Sequence, residues 1–172
     1  MEISNTCSKI IAQLTNAVEL IPDDSYARPL DLLHGSTPGQ HVRHIAEFLL
    51  ALEKGYGLGV VSYDLREHNK EMETSKRFVL DALQSAKLFF ESCLEDRPLV
   101  LESMHDKADN NWTSVSTGYF RELLYVIDHA IHHMAILRMA IAQISPDIKL
   151  DADFGMAFST LHHQKKMNQP AA

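Results

Sequence analysis

The sequence predicts an all-α protein: a four-helix bundle in one domain, with long crossover connections and a small hairpin insertion. Apolar residues recur at helical spacing in four long segments, as expected for helices that share one core. The connections between the first and second segments and between the third and fourth are long and contain turn-forming residues. The 172 residues are 45% hydrophobic and 23% charged, which suits a single globular domain.

The first helix is predicted from Ser4 or Asn5 to Ile21, and Pro22 ends it. Its apolar positions recur three or four residues apart and are Cys7, Ile10, Ile11, Leu14, Val18 and Ile21. The polar stretch 23–36 is predicted to be a long loop. Three leucines are expected to anchor this loop on the bundle: Leu30, Leu32 and Leu33.

The second helix begins with a strong capping signal. Thr37 is the predicted N-cap, Pro38 occupies the first helical position and Gln40 completes a capping box. The apolar stripe of this helix consists of Ile45, Phe48, Leu49, Leu52 and Tyr56. The segment 55–57 contains two glycines and is predicted to end the helix.

The third helix is predicted over residues 74–94 and is terminated by Pro98. Two short apolar segments, 99–101 and 112–115, then predict a small hairpin with Trp112 as its anchor.

The fourth helix is predicted to be capped by Thr117 and to end at Ser145 and Pro146. The segment 154–161 is predicted to dock on the bundle ahead of a mobile end.

Three histidines, His129, His132 and His133, lie within five residues of the fourth helix. His129 and His133 are four residues apart, and therefore about 40° apart around the helix axis, so both rings project from one face. Apolar residues share that face, so the pair is expected to point into the core. His132 projects to the other side and is predicted to pair with Asp128.

Two buried imidazoles have two explanations: each ring is neutral and hydrogen-bonded in the core, or the pair binds a metal ion. The second helix carries His41 and His44 opposite the pair, and either could be the third ligand. Three imidazoles with one position left to water form an open, zinc-type catalytic site that nickel or iron would also accept. Helical geometry slightly favours His41, which lies nearer the centre of the apolar stripe.

The composition argues against several classes of protein. A formal net charge of −7 without a long basic cluster opposes binding to nucleic acid or anionic membranes. The N-terminus lacks the features of a signal peptide and no apolar run is long enough to span a membrane, so a cytoplasmic location is expected. Cys7 and Cys93 have no CxxC spacing and are predicted to be buried free thiols.

The fourth helix is apolar on nearly every side. The side away from His129 carries Leu123, Ile127, Ala130, Ile131 and Met134. The apolar side away from His129 has to pack against another surface, so a symmetric homodimer through this helix is predicted. Alternatively, the hairpin and the tail cover that surface within one chain.

The histidine blocks resemble those of the DinB/YfiT-like proteins. The matching residues are 37–45, which hold Thr-Pro-Gly-Gln-His-Val-Arg-His-Ile, and 121–133; segment 153–161 is similar to one branch of the family. The resemblance covers most of the chain and implies a four-helix bundle with a long second crossover. It also implies one divalent metal ion per chain, with His44, His129 and His133 as ligands; His41 is then a substitute ligand or a neighbour of the ligands.

Tyr63, Asp64 and Arg66 resemble a recurrent Tyr-Asp-x-Arg segment of the same branch, which implies an active-site role for these three residues. Arginine is well suited to hold a substrate carboxylate through two hydrogen bonds. The alternative is a loop held together by an ion pair between Asp64 and Arg66.

The family resemblance implies a reaction class. Ala130 follows His129, so the glutamate base of an HExxH metalloprotease is missing. Characterised relatives include metal-dependent transferases and isomerases that use small cellular thiols. We therefore expect a thiol transferase or a hydrolase acting on a small molecule, with a low-molecular-weight thiol as a candidate cosubstrate.

Two other classes of function compete with this expectation. One is a non-enzymatic, stress-related dimer that binds a metal or a small ligand. The other is a di-iron bundle, which needs several bridging carboxylates, whereas the inner helix faces offer only Glu122.

Overall fold

The computed structural model describes residues 2–92, 95–106 and 111–167. Within these ranges the chain is mostly helical and has one small three-stranded sheet, so the all-α prediction holds only at that coarser level. The helices are α1 (Glu2–Leu20), α2 (Asp23–Tyr26), α3 (Pro38–Leu58), α4 (Glu71–Thr74), α5 (Lys76–Ser92), α6 (Tyr119–Ile144) and α7 (Phe158–Met167). The strands are β1 (Val60–Val61), β2 (Pro98–Met104) and β3 (Trp112–Gly118).

The four long helices contact one another in pairs. Helix α1 packs against α5 and α6, and α3 packs against the same two helices. The apolar faces of all four contribute to a single cluster of buried side chains. The contact between α3 and α6 positions the histidines, because both predicted histidine blocks lie on these helices.

Helix α3 begins at the predicted capping box. Thr37 Oγ1 accepts from the backbone N–H of Gln40, and Gln40 Oε1 accepts from the backbone N–H of Thr37, each at 3.1 Å. The helix ends at Gly59, which adopts a left-handed conformation with φ 77°. The predicted end at 55–57 was therefore wrong.

Gly55 lies inside α3 for a packing reason. A Cβ at this position would lie 2.8 Å from the Cβ of Val61, so strand β1 can approach the helix only where a side chain is missing. The glycine thus marks a close contact between helix and strand, and the helix continues through it.

The predicted hairpin is present, and its strands are longer than expected. Strands β2 and β3 pair antiparallel, from Pro98 opposite Gly118 to Met104 opposite Trp112. Strand β1 adds to β2 in parallel, with Val60 opposite Val100. The sequence analysis missed β1 because a strand of two residues has no periodicity to detect.

The N-cap of helix α6 lies one residue later than predicted. It is Gly118, and Thr117 still belongs to β3. The Thr117 hydroxyl donates to Glu122 Oε1 at 2.7 Å, whereas an N-cap hydroxyl would accept from a backbone N–H of the helix. The capping prediction was wrong because the strand extends up to the first turn of the helix. The predicted end at Ser145 is observed.

The back of α6 is covered within one chain. Ile127, Ile131 and Met134 are 3%, 5% and 0% exposed, and they belong to the same buried cluster as the apolar face of α1. The exposed apolar surface from which a dimer was predicted is therefore missing. The homodimer stays a prediction without support from this surface.

The segment after α6 is docked by polar contacts. Arg138 donates to the carbonyl oxygen of Phe154 at 2.9 Å, and Phe154 is buried. Gly155 (φ 67°) lies against the backbone of Ala135, where a Cβ would not fit. The packed part of this segment ends before α7, because α7 contains no buried residue.

The connection between α1 and α3 is less irregular than predicted. It contains α2 and a 3₁₀ turn at Asp31–Leu33. Leu30 and Leu33 are buried against Ala140 of α6, as expected of anchors. Leu32 is exposed, so the prediction for this third leucine was wrong.

The remaining predictions concern the thiols and the membrane. Cys7 is a buried free thiol, and burial raises its pKa to about 12, so it is protonated and unreactive at neutral pH. Cys93 lies outside the described residues. None of the described helices is both long and apolar enough to cross a bilayer.

Candidate metal centre

Three histidines meet where α3 crosses α6. His44 projects from α3, and His129 and His133 project from one face of α6. Each offers one ring nitrogen, and the three nitrogens lie within 4.8 Å of one another. All three rings are partly buried. The four-residue spacing on α6 thus brings two imidazoles to a third that is distant in the sequence.

The rings contact one another directly. The Nε2 atoms of His44 and His129 are 2.8 Å apart, a distance at which one ring donates its proton and the other accepts it. The ring centroid of His133 lies 4.4 Å from that of His44 and 4.7 Å from that of His129. A hydrogen bond between imidazoles therefore joins His44 of α3 to His129 of α6.

His41 lies beside this cluster. Its Nδ1 is 3.1 Å from Nδ1 of His133, a hydrogen bond in which either ring can be the donor. This contact involves one ring nitrogen of His133 and restricts the orientation of its ring. Helical geometry had slightly favoured His41 as the third ligand, whereas the group of three contains His44.

Burial keeps these imidazoles neutral. Burial, with the nearby charge of Arg66, lowers the pKa of His44 to about 4. Burial and the neighbouring histidines lower the pKa of His133 to about 3. The pKa values of His41 and His129 are lowered as well, in both cases mainly by burial. Each ring is therefore neutral at pH 7 and keeps one nitrogen with a lone pair, as a metal ligand requires.

An aromatic wall supports the cluster. Phe48 stacks on His129 with centroids 4.1 Å apart, and Tyr63 stacks on Phe48 at 4.8 Å with nearly parallel rings. The Tyr63 hydroxyl donates to Glu122 Oε2 at 3.0 Å. These contacts restrict rotation of His129 and exclude water from one side of the site.

Glu122 is fully buried and fully engaged. Besides the Tyr63 hydroxyl, its carboxylate accepts from Thr117 Oγ1 and from Arg121 Nη1, each at 2.7 Å. Burial and the charge of Glu122 raise the pKa of Tyr63, so its phenol stays protonated and serves as a donor. Sequence reasoning weighed Glu122 only as a di-iron ligand. Its place in the apolar stripe of α6 was the one available signal of a buried partner.

The three residues of the Tyr-Asp-x-Arg segment have different surroundings. The guanidinium of Arg66 lies 4.5 Å from the centre of the Phe48 ring, and is therefore close to the histidines. Tyr63 points to Glu122, as described above. Asp64 is exposed and accepts from Ser103 Oγ at 3.0 Å and from the Met104 backbone N–H at 2.8 Å.

The ion pair between Asp64 and Arg66, considered as the alternative to an active-site role, is not formed in the described part of the chain. Asp64 instead fastens the loop to β2, and Arg66 faces Glu47, with Nε 3.6 Å from Glu47 Oε2. Sequence reasoning missed Glu47, a buried acid in α3 that also accepts from Arg43 at 3.1 Å and from the Asn69 backbone at 2.7 Å. No sequence signal distinguished it from an exposed helix residue.

His132 lies on the surface. Its ring meets that of His133 edge-on, with centroids 5.4 Å apart. Over the described residues, no hydrogen bond or ion pair joins it to Asp128, so the predicted pairing was wrong. An exposed pair at helical spacing gains little from contact in water.

The fold and the site together define a mostly helical protein with a partly buried group of three neutral histidines. No protein-family profile matches the sequence. FK506-binding protein 5 of Rhizopus delemar is 30% identical over 110 residues, which are 62% of this chain and 28% of that protein. The chain therefore matches little more than a quarter of this relative's length. No solved structure matches this chain.

Proposed function

We propose that the protein is a metal-dependent enzyme that binds one divalent ion through His44, His129 and His133 and acts on a small molecule. The observation that carries this proposal is the approach of three ring nitrogens to within 4.8 Å of one another. The proposal includes the fold: α1, α3, α5 and α6 form a four-helix bundle of the DinB/YfiT type. The pairwise packing of these helices supports it.

The donor set suits a divalent transition metal. Tetrahedral zinc ligands at about 2.0–2.1 Å from the ion have their nitrogens roughly 3.3 Å apart, so modest side-chain rotations would bring the three rings to this geometry. Neutral imidazole binds zinc, nickel and iron well. The group has three members among the described residues, which leaves a position open for a substrate.

A divalent ion with an open position favours the ionised form of water or of a thiol at neutral pH. The chain's own residues supply the rest of the site. Arg66 provides a second positive charge that can hold an acidic substrate. Phe48 and Tyr63 exclude water from one side of the histidines.

The surroundings of the histidines favour thiol transfer over hydrolysis. Glu122 is bound to three donors behind the aromatic wall, and Glu47 is held by Arg43 and the Asn69 backbone. Hydrolysis benefits from a free carboxylate that removes a proton from water, whereas a thiol with a lowered pKa needs no such base. A low-molecular-weight thiol is therefore the proposed cosubstrate.

Metal analysis of the purified protein tests the proposal. We expect about one zinc or nickel ion per chain, and we expect His44→Ala, His129→Ala and His133→Ala to remove it, because three ligands are the minimum for an open site. His132→Ala is the matched control, since this exposed ring lies on the same helix. His41→Ala should retain the ion with affinity lowered about tenfold, because it removes only an orienting contact.

Metal-free wild-type protein would refute the proposal. If His41→Ala abolished binding while His44→Ala did not, the assignment of the ligand from α3 would be wrong.

A second candidate is a non-enzymatic, stress-related homodimer that binds a metal or a small ligand. The observation in its favour is the packing of Phe48 and the neighbouring imidazoles around His129, which is typical of a closed core. A thermal-shift screen of the metal-loaded protein against small thiols separates the two. Stabilisation that requires the metal favours the enzyme, and no response to any thiol favours this second candidate.

A further inference from the structure

A cleft of about 290 Å³ lies between α3, the segment 58–72 that follows it, and β2. This volume is near the lower end of the range for small-molecule sites. Its apolar lining comes from Leu50, Ala51, Leu58, Val60, Leu65 and Met72. Such a lining favours a hydrocarbon chain over a sugar or a nucleotide.

Two buried polar groups on the wall of the cleft have unused hydrogen-bonding capacity. Ser62 Oγ and Arg66 Nε have no hydrogen-bond partner within the described ranges. The nearest acid to Arg66 is Glu47 at 3.6 Å, which is too far for a hydrogen bond. A buried donor without a partner requires an explanation, and a bound acceptor is one.

Arg66 connects the cleft to the histidines. Its guanidinium lies 4.5 Å from the centre of the Phe48 ring, and the Phe48 ring centroid lies 4.7 Å from that of His44 and 4.1 Å from that of His129. A group held by Arg66 is therefore one side chain away from the candidate metal centre.

The charges on the wall limit the ligand to one negative charge. Glu47 accepts from Arg43, which Glu73 also contacts at 2.8 Å, and from the Asn69 backbone. Arg66 lies in ion-pair range of Glu47, but its Nε makes no hydrogen bond within the described ranges and is left to an acceptor from the ligand. Lys54, Glu67 and Glu102 also line the cleft, and the two acids outnumber the lysine, so they oppose a second anionic group.

We propose that the cleft binds an amphipathic monocarboxylic acid, with its apolar chain between α3 and segment 58–72 and its carboxylate on Arg66. The carboxylate accepts from Arg66 Nε, the donor that has no partner within the described ranges. This inference rests on the proposed metal-dependent function, because it names the substrate class of that site.

Calorimetric titration of the zinc-loaded protein with sodium octanoate tests the inference. Octanoate should bind saturably, and acetate, which lacks the chain, at least tenfold more weakly. Arg66→Met keeps the length of the side chain and removes its charge, so it should weaken octanoate about tenfold. It should leave 1-octanol binding unchanged. Arg77→Met, at an exposed position on α5, is the control.

Two further variants test the position of the apolar chain. Ala51→Trp should fill the cleft and block octanoate, whereas Ala12→Trp, at an exposed position on α1, should not. Leu65 is 65% exposed, so Leu65→Asp should fold normally and still weaken octanoate by repulsion. Binding unaffected by Leu65→Asp, or equal binding of acetate and octanoate, would overturn the inference.

Repeating the titration with His129→Ala separates this inference from the proposed function. Octanoate should still bind within about threefold, because Arg66 and the apolar wall remain. Octanoate binding to a wild-type protein that takes up no metal would refute the metal-dependent function alone. Metal uptake without octanoate binding would refute the inference alone.

Discussion

At the residue scale, Phe48 connects the parts of the candidate site. Its ring contacts four neighbours of the site: His44, His129, Tyr63 and Arg66. The side chain is nearly buried, so these contacts are made in a water-poor environment. A residue without reactive chemistry thus sets both the orientation of a candidate ligand and the position of the candidate substrate-binding cation.

Phe48→Leu should weaken metal binding without removing a ligand. Leucine preserves most of the apolar volume but loses the stacking, so we expect about 1 kcal/mol of lost stability and zinc affinity lowered about tenfold. Urea denaturation and competition with a zinc chelator measure the two effects. Phe89→Leu is the matched control, because Phe89 packs on Tyr56 and Phe90, away from the histidines. Equal zinc affinity in both variants would show that Phe48 only fills space.

At the element scale, the close approach of α3 and β1 forms the wall of the cleft. Gly55 permits it, because its missing side chain leaves room for Val61. The loop that follows β1 is then fastened at two points, by Asp64 to β2 and by the Asn69 backbone to Glu47. These fastenings hold Arg66 beside the histidines.

Gly55→Ala should destabilise the protein, although alanine normally favours a helix. The new Cβ would lie 2.8 Å from the Cβ of Val61, so the strand has to move, at a cost of roughly 1–3 kcal/mol. Gly57→Ala, two residues along the same helix, meets nothing within 4 Å and should stabilise the protein by up to about 1 kcal/mol. Urea denaturation measures the free energy of unfolding of both variants. Gly55→Ala as stable as Gly57→Ala would contradict the packing role.

Local signals were enough to predict the start of α3 and the placement of His129 and His133 on one face of α6. The capping box at Thr37 and the HxxxH pair of α6 depend on residues no more than four positions apart. Strand β1, the role of Gly55 and the contact of Arg66 with Phe48 depend on segments that are distant in the sequence. No single-sequence pattern encodes them, and the end of α3 was mispredicted for this reason.

At the scale of the whole molecule, the four long helices converge on a core with four partly buried histidines at its edge. These rings are neutral in the folded protein, and their contacts require neutrality, because one nitrogen of each hydrogen-bonded pair has to accept. Stability and metal binding therefore respond to the same protons.

The metal-free protein should lose stability as the pH falls below 6.5. Burial lowers the pKa of His44 to about 4 and that of His133 to about 3, whereas an unfolded imidazole titrates near 6.5. Between these values the unfolded chain binds more protons than the folded one, so acidification favours unfolding and stability rises with pH.

Urea denaturation at a series of pH values from 7.5 to 4.5 measures this effect, with the His44→Gln and His133→Gln double variant as the comparison. The variant should show a shallower slope, because two groups that must stay neutral are gone. Added zinc should stabilise the wild type at pH 7.5 and lose this effect towards pH 4.5, since protons compete for the same nitrogens. Equal slopes for wild type and variant would mean that these imidazoles are charged, or free to charge, in the folded protein, and neutral ligands for a metal ion would then be missing.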